Sequence, residues 1–171
     1  SLARVAIKTI LLQDQSSGGG STLTQQLAKN LYPRRNRKIS ILAVDKIKEM
    51  IIASRLENIY TKEEIITLYL NTVSFGDNTF GIESASLKFF DKHASQLTVE
   101  EAATLVGMLK ATYGYNPRIF PEQSKNKRNL VLQSMYNNDY FTEEEKDSLT
   151  ILPVKLNYRE YDYNDGLAPY F

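Results

Sequence analysis

Apolar residues along this chain recur mostly three and four positions apart. Leu2, Val5, Ala6, Ile10 and Leu11 follow that spacing and predict a helix over 2–12. Gln13 to Gly20 reads as a loop, and a second helix runs from about Thr22 to Leu31. A long helix follows over about 39–58. Ala43, Ile47, Met50, Ile51 and Ser54 lie on its mainly apolar side, and Lys46 and Glu49 sit three apart on another face. Further helices are predicted to about Leu70, over 83–90, from Thr98 to about Lys110, over 122–137, and in a last short stretch after Thr142. Four of these starts carry a threonine three residues before Glu or Gln: Thr22 with Gln25, Thr61 with Glu64, Thr98 with Glu101, Thr142 with Glu145. No run alternates with the period of a strand, so the pattern predicts a mainly α domain. From Ile151 the helical period dissolves. Pro, Asn and Asp there alternate with Tyr158, Tyr161 and Tyr163, which reads as an extended linker.

Composition narrows the chemistry. The 171 residues suffice for one domain with a core, and a net charge of +1 gives no reason to expect nucleic-acid binding. With no cysteine, disulfides, thiolate metal sites and Cys nucleophiles are excluded. A single histidine, His93, argues against a His-rich metal site and leaves no Ser-His-Asp arrangement to pursue. No apolar run approaches the ~18 residues a membrane span needs. Ser1 at one end and Ala168-Pro169-Tyr170-Phe171 at the other both read as cut, so a fragment of a longer protein is expected.

Candidate chemistry gathers at three places. Gly18, Gly19 and Gly20 precede Ser21 and Thr22, and on the helix that follows Gln26, Lys29 and Asn30 share a face. Glycines that permit close backbone approach, hydroxyls at a helix start and a lysine suit a phosphate or a sugar. The same residues also fit a flexible loop before an ordinary polar helix face. Lys46 and Glu49 form the second place, Lys127 and Arg128 the third. If these cations converge on one cleft they suit a diphosphate, and a carboxylate beside them can orient a cation or handle a proton. Taken singly, each pair fits a solvated helix face, as does the basic connector Pro33 to Lys38.

Four stretches in order resemble the signatures of the family 51 peptidoglycan glycosyltransferases. These enzymes form the transglycosylase domain of class A penicillin-binding proteins and also stand alone. Gly19-Gly20-Ser21-Thr22-Leu23-Thr24-Gln25-Gln26-Leu27-Ala28-Lys29-Asn30 resembles the second signature. Lys46-Ile47-Lys48-Glu49 with Arg55-Leu56-Glu57 resembles the third, and Tyr69 to Gly76 with Gly81-Ile82 the fourth. Lys127-Arg128-Asn129-Leu130-Val131-Leu132 resembles the fifth. The first signature, Glu-Asp-x-x-Phe-x-x-His-x-Gly, carries the general-base glutamate and is expected just ahead of residue 1. Asp45 stands where the family usually has Arg, Thr67 where Glu is frequent, and the connector before Lys46 is longer than usual.

The resemblance implies a mainly α, lysozyme-like glycosyltransferase domain over 1–150, incomplete at its N-terminus. Residues 151–171 would then be a linker toward a transpeptidase domain. It implies polymerisation of lipid II into glycan strands with release of undecaprenyl diphosphate, by a protein anchored in the bacterial membrane through an N-terminal helix, with its catalytic domain on the outer face. Glu49 would be catalytic, near the diphosphate. Lys29, Lys46, Lys127 and Arg128 would hold diphosphate and sugar acid groups, while Ser21, Thr22, Gln26 and Asn30 line the donor side. A divalent cation, Mg or Mn, is the one cofactor considered. Without the base glutamate, the 171 residues by themselves are expected to be inactive. Two other readings share the fold: a non-catalytic lipid-II-binding or scaffold module, and a lysozyme-like hydrolase. The second signature speaks against a hydrolase, which has no diphosphate to bind.

Overall fold

The computed structural model describes residues 22–33 and 39–160, with only the backbone of residues 39–43. The helix predicted over 2–12, the glycine run, Ser21, residues 34–38 and residues 161–171 lie outside the described residues.

Seven α-helices are described: α1 (Leu23–Leu31), α2 (Ile39–Ile59), α3 (Lys62–Thr72), α4 (Ile82–Phe90), α5 (Val99–Met108), α6 (Pro121–Tyr136) and α7 (Glu143–Ile151). Their starts follow local chemistry. At α3 the Thr61 N–H donates to Glu64 Oε2 at 2.8 Å and Thr61 Oγ1 accepts the Glu64 N–H at 3.4 Å, closing a reciprocal cap. Thr142 and Glu145 repeat this at α7 with 2.8 and 3.3 Å. At α5 Glu101 accepts the Thr98 N–H at 2.9 Å. Pro121 opens α6 at a position that needs no N–H donor. A 3₁₀ turn over Ala94–Gln96, which no periodicity announces, is closed by Gln96 accepting the His93 N–H at 3.0 Å. Among the described residues there is no strand, only an isolated antiparallel bridge between Ser74 and Phe80.

α5 is the central helix: every residue from Ala102 to Met108 is buried. α6 lies along it, and α7 covers α6. On the other side α1 packs on both α2 and α3, and α4 joins the two groups by touching α3 and α5. The core runs through all of them, from Leu27 through Ile66, Tyr69 and Phe89 to Leu105 and Leu132.

The rotation of α2 differs from the expected one. Ile47, Met50 and Ile51 face outward at 57, 52 and 51% exposure, and Ser54 is exposed as well. The buried side carries Glu49 and Ala53. This helix is apolar on more than one face, so spacing alone does not choose the side that turns inward. The polar groups of α1 do, because a charged pair finds its hydrogen-bond partner there.

The extended stretch after α7 is docked. The Asn157 N–H donates to Phe89 O at 3.0 Å and the Arg159 N–H to Lys88 O at 2.8 Å, at the end of α4.

Candidate functional site

Thr22 caps α1, its Oγ1 accepting the Gln25 N–H at 3.2 Å. Capping-box spacing would send the Gln25 side chain back to Thr22. Instead Gln25 Oε1 accepts a hydrogen bond from Lys46 Nζ of α2 at 3.0 Å. That ammonium lies 3.7 Å from Glu49 Oε2. The Glu49 side chain is only 6% exposed, whereas that of Lys46 is 39% exposed. The pair, which taken singly fits a solvated helix face, is a buried carboxylate under a cation that still reaches solvent. Burying a carboxylate unpaired would cost several kcal/mol, and the Lys46 ammonium offsets part of that cost for Glu49.

The next residue, Gln26, turns to α3. Tyr69 donates its phenol to Gln26 Oε1 at 3.3 Å. Burial pushes the Tyr69 pKa up to about 12, which keeps the phenol a neutral donor at working pH. Adjacent glutamines thus tie α1 to two helices. Lys29 and Asn30 are exposed on the last turn of α1.

Asp45 adds a group that the site residues predicted from sequence do not include. It lies one helical turn before Glu49, its Oδ1 is 3.8 Å from Lys48 Nζ, and its Oδ2 is buried without a hydrogen-bond partner. The structure therefore brings Lys46 and Glu49 together with Gln25, a residue the predicted site did not include, while Gln26 turns to Tyr69 and Asp45 shares the helix face of Glu49.

Lys127 and Arg128 take different directions on α6. Lys127 is half-buried, its Nζ 5.7 Å from the centre of the Tyr115 ring. Gly107 of α5 allows this approach, since a Cβ there would meet Lys127 Cγ at 3.2 Å. Arg128 departs from the expectation that it lines the cleft. It is 0% exposed, and its Nη2 donates to Thr150 O at 3.0 Å and Leu152 O at 2.8 Å, with Asn129 Oδ1 also accepting. The reason is the C-terminus of α7, whose last carbonyls lack helical partners and take the guanidinium instead.

Sequence reasoning also missed Asp77. This residue has φ +47, and its Oδ2 accepts from Asn116 Nδ2 at 3.1 Å, Arg118 Nη2 at 3.3 Å and the Tyr158 hydroxyl at 3.4 Å. Gly76-Asp77-Asn78 reads as a turn, but its partners lie about 40 and 80 residues away, beyond any local signal.

The family model described as Transglycosylase matches residues 1–136. The chain belongs to the transglycosylase family. It is 38% identical over 148 residues to penicillin-binding protein 1A of Aquifex aeolicus, covering 86% of this chain and 20% of that protein. It is 47% identical over 119 residues to penicillin-binding protein 2a of Streptococcus pneumoniae, covering 70% of this chain and 16% of that protein. The crystal structure of penicillin-binding protein 1A from Haemophilus influenzae matches with a TM-score of 0.52 and 25% identity, over 81% of this chain and 17% of that one. The chain thus spans about a fifth of the length of these relatives. Family and mainly α fold agree with the resemblance carried by the four signatures. No helix among the described residues is long and apolar enough to cross a membrane.

Proposed function

We propose that this chain is the glycosyl-transferring part of a class A penicillin-binding protein, polymerising lipid II at the outer face of the bacterial membrane. The observation that carries this reading is the Gln25–Lys46–Glu49 cluster, a buried carboxylate joined to a solvent-reaching ammonium inside two family signatures. An apolar pair of similar volume would hold α1 on α2 as well or better. Charge there has a chemical use.

In the proposed reaction the 4-hydroxyl of one sugar chain attacks C1 of another. The C1–oxygen bond to the diphosphate breaks, the anomeric centre inverts, and undecaprenyl diphosphate leaves with the bonding electrons. The hydroxyl proton goes to a base, the glutamate of the first signature. Lys46, Lys29 and Lys127 offer positive charge to the leaving diphosphate, while Thr22, Gln26 and Asn30, with Ser21, line the donor side. Glu49 sets the position of Lys46. Arg128 supports α6 from within and makes no ligand contact in this reading. A divalent cation, Mg or Mn, fits Glu49 and Asp45 only in company with diphosphate oxygens. No group of three potential metal ligands occurs among the described residues. Such a cation would supply charge neutralisation at the leaving group.

The test is lipid II polymerisation by the chain extended with a Glu-Asp-x-x-Phe-x-x-His-x-Gly segment ahead of Ser1. Glu49→Gln is expected to lower turnover about tenfold or more, with the fold retained. No polymerisation by the folded, extended chain would sink the proposal, and full turnover by a folded Glu49→Gln protein would remove Glu49 from the mechanism.

A further inference from the structure

The segment following α7 is fastened along its length. At its start Arg128 holds Thr150 O and Leu152 O. Further on, the backbone N–H groups of Asn157 and Arg159 donate to the last turn of α4, and Arg159 Nε lies 2.8 Å from Asp91 Oδ1. Between them Tyr158 turns inward. Its ring meets Phe89 edge-on at 5.6 Å and is flanked by Arg118 at 5.2 Å and Lys88 at 5.9 Å. Its hydroxyl reaches the Asp77 oxygen that also receives Asn116 and Arg118. Lys88 completes the knot by donating to Asp77 O at 2.6 Å.

One carboxylate oxygen therefore joins three segments: the loop between α3 and α4, the loop between α5 and α6, and the chain after α7. A passive linker has no reason to place a phenol on a carboxylate that already holds Asn116 and Arg118. Asn116, 1% exposed, fixes the second loop from inside, and its neighbour Tyr115 carries the Lys127 ammonium over its ring. We infer that residues 153–160 form a docked strap whose Tyr158–Asp77 contact holds both loops, so that its release loosens them and the seat of Lys127. The importance given to Lys127 rests on the proposed function; the mechanical coupling does not.

Hydrogen–deuterium exchange on the full chain tests this. Tyr158→Ala is expected to speed exchange of Asn157 and Arg159, and also of Phe75, Thr79 and Asn116, whose amides are bonded within the two loops, by about fivefold or more. Amides of α5 are expected to keep their rates. Tyr158→Phe, which retains the ring and loses only the hydroxyl, is expected to accelerate the loop amides to a smaller extent. Lys155→Ala, on the exposed side of the strap, is expected to change nothing. Faster exchange confined to 156–160 would overturn the inference, because the strap would then be fastened without holding the loops. Equal acceleration of α5 in both Tyr158 variants would overturn it too, as a general loss of stability. Binding of inorganic pyrophosphate, compared between the unmodified chain and Lys127→Ala, separates the two claims. A null result there counts against the proposed function and leaves the exchange result standing.

Discussion

Lys127 and Arg128 are adjacent, both basic, and do different work. A lysine ends in a point charge on a flexible stem, and here the stem lies against α5 while the ammonium rests over an aromatic face. An arginine presents a fork of donors, which suits two carbonyls at a helix end. Desolvation lowers the Arg128 pKa from its usual value. Arg128→Ala is expected to cost about 2–4 kcal/mol, because it removes the donor to Leu152 O, leaves Thr150 O to Asn129 alone and opens a void at a fully buried side chain, and thermal denaturation would read it as a clear fall in Tm. Lys127→Ala is expected to leave Tm almost unchanged and to weaken binding of a diphosphate mimic several-fold by calorimetry. If Arg128→Ala melts with the unmodified protein, the guanidinium is not holding α7. Tyr69 offers a second residue-scale test. Its folded pKa of about 12 lies above the ordinary 10.0, so the neutral phenol favours the folded state. That contribution is fully present below pH 10 and is lost as pH rises toward 12. Tyr69→Phe is expected to remove this alkaline loss, at a cost of about 1 kcal/mol near neutrality from the missing bond to Gln26.

At the scale of elements, helix boundaries here are settled by a few atoms. Gly81 starts α4 at φ +83, and a Cβ on it would sit 2.9 Å from Asn71 O, a backbone atom that cannot swing away. Gly81→Ala is therefore expected to destabilise by about 1–3 kcal/mol. Gly114 has open space, its nearest neighbour to a Cβ being Ala111 Cβ at 3.8 Å, and Gly114→Ala is expected to be near neutral. Urea denaturation of the two variants measures the contrast, and equal costs would refute it. The same scale shows why Thr22 and Gln25 fail to close a capping box while Thr61 and Glu64 succeed. Glu64 is exposed with its own cap as partner, whereas Gln25 faces Lys46 across the α1–α2 interface.

The whole molecule responds to pH through pairs that join its elements. Glu83 of α4 accepts the Ala94 N–H at 2.9 Å and lies 2.5 Å from His93 Nδ1. The Ala94 bond first, then His93, hold its pKa below the ordinary 4.5. A depressed folded pKa contributes stability above the unfolded value, and that contribution disappears as pH falls through the folded one. Stability is thus expected to decline below about pH 4.5, with a shallower acid limb for Glu83→Gln, the difference small because the pair is exposed. Denaturant midpoints measured from pH 3 to 7 check this, and identical acid limbs would remove Glu83 from the account.

The order of helices, their starts and the family were legible in the chain itself. Caps act within three or four residues, and the four signatures are contiguous strings, so nothing distant had to be known. Which way α2 turns its apolar faces, that Gln25 abandons its cap for Lys46, that Arg128 points inward and that Tyr158 ends on Asp77 were decided only in three dimensions. Each of these is a choice among partners 20 to 80 residues apart. Local spacing offers several of equal merit, and buried polar groups favour the arrangement that bonds most of them, Asp45 Oδ2 and Arg128 Nη1 being left over.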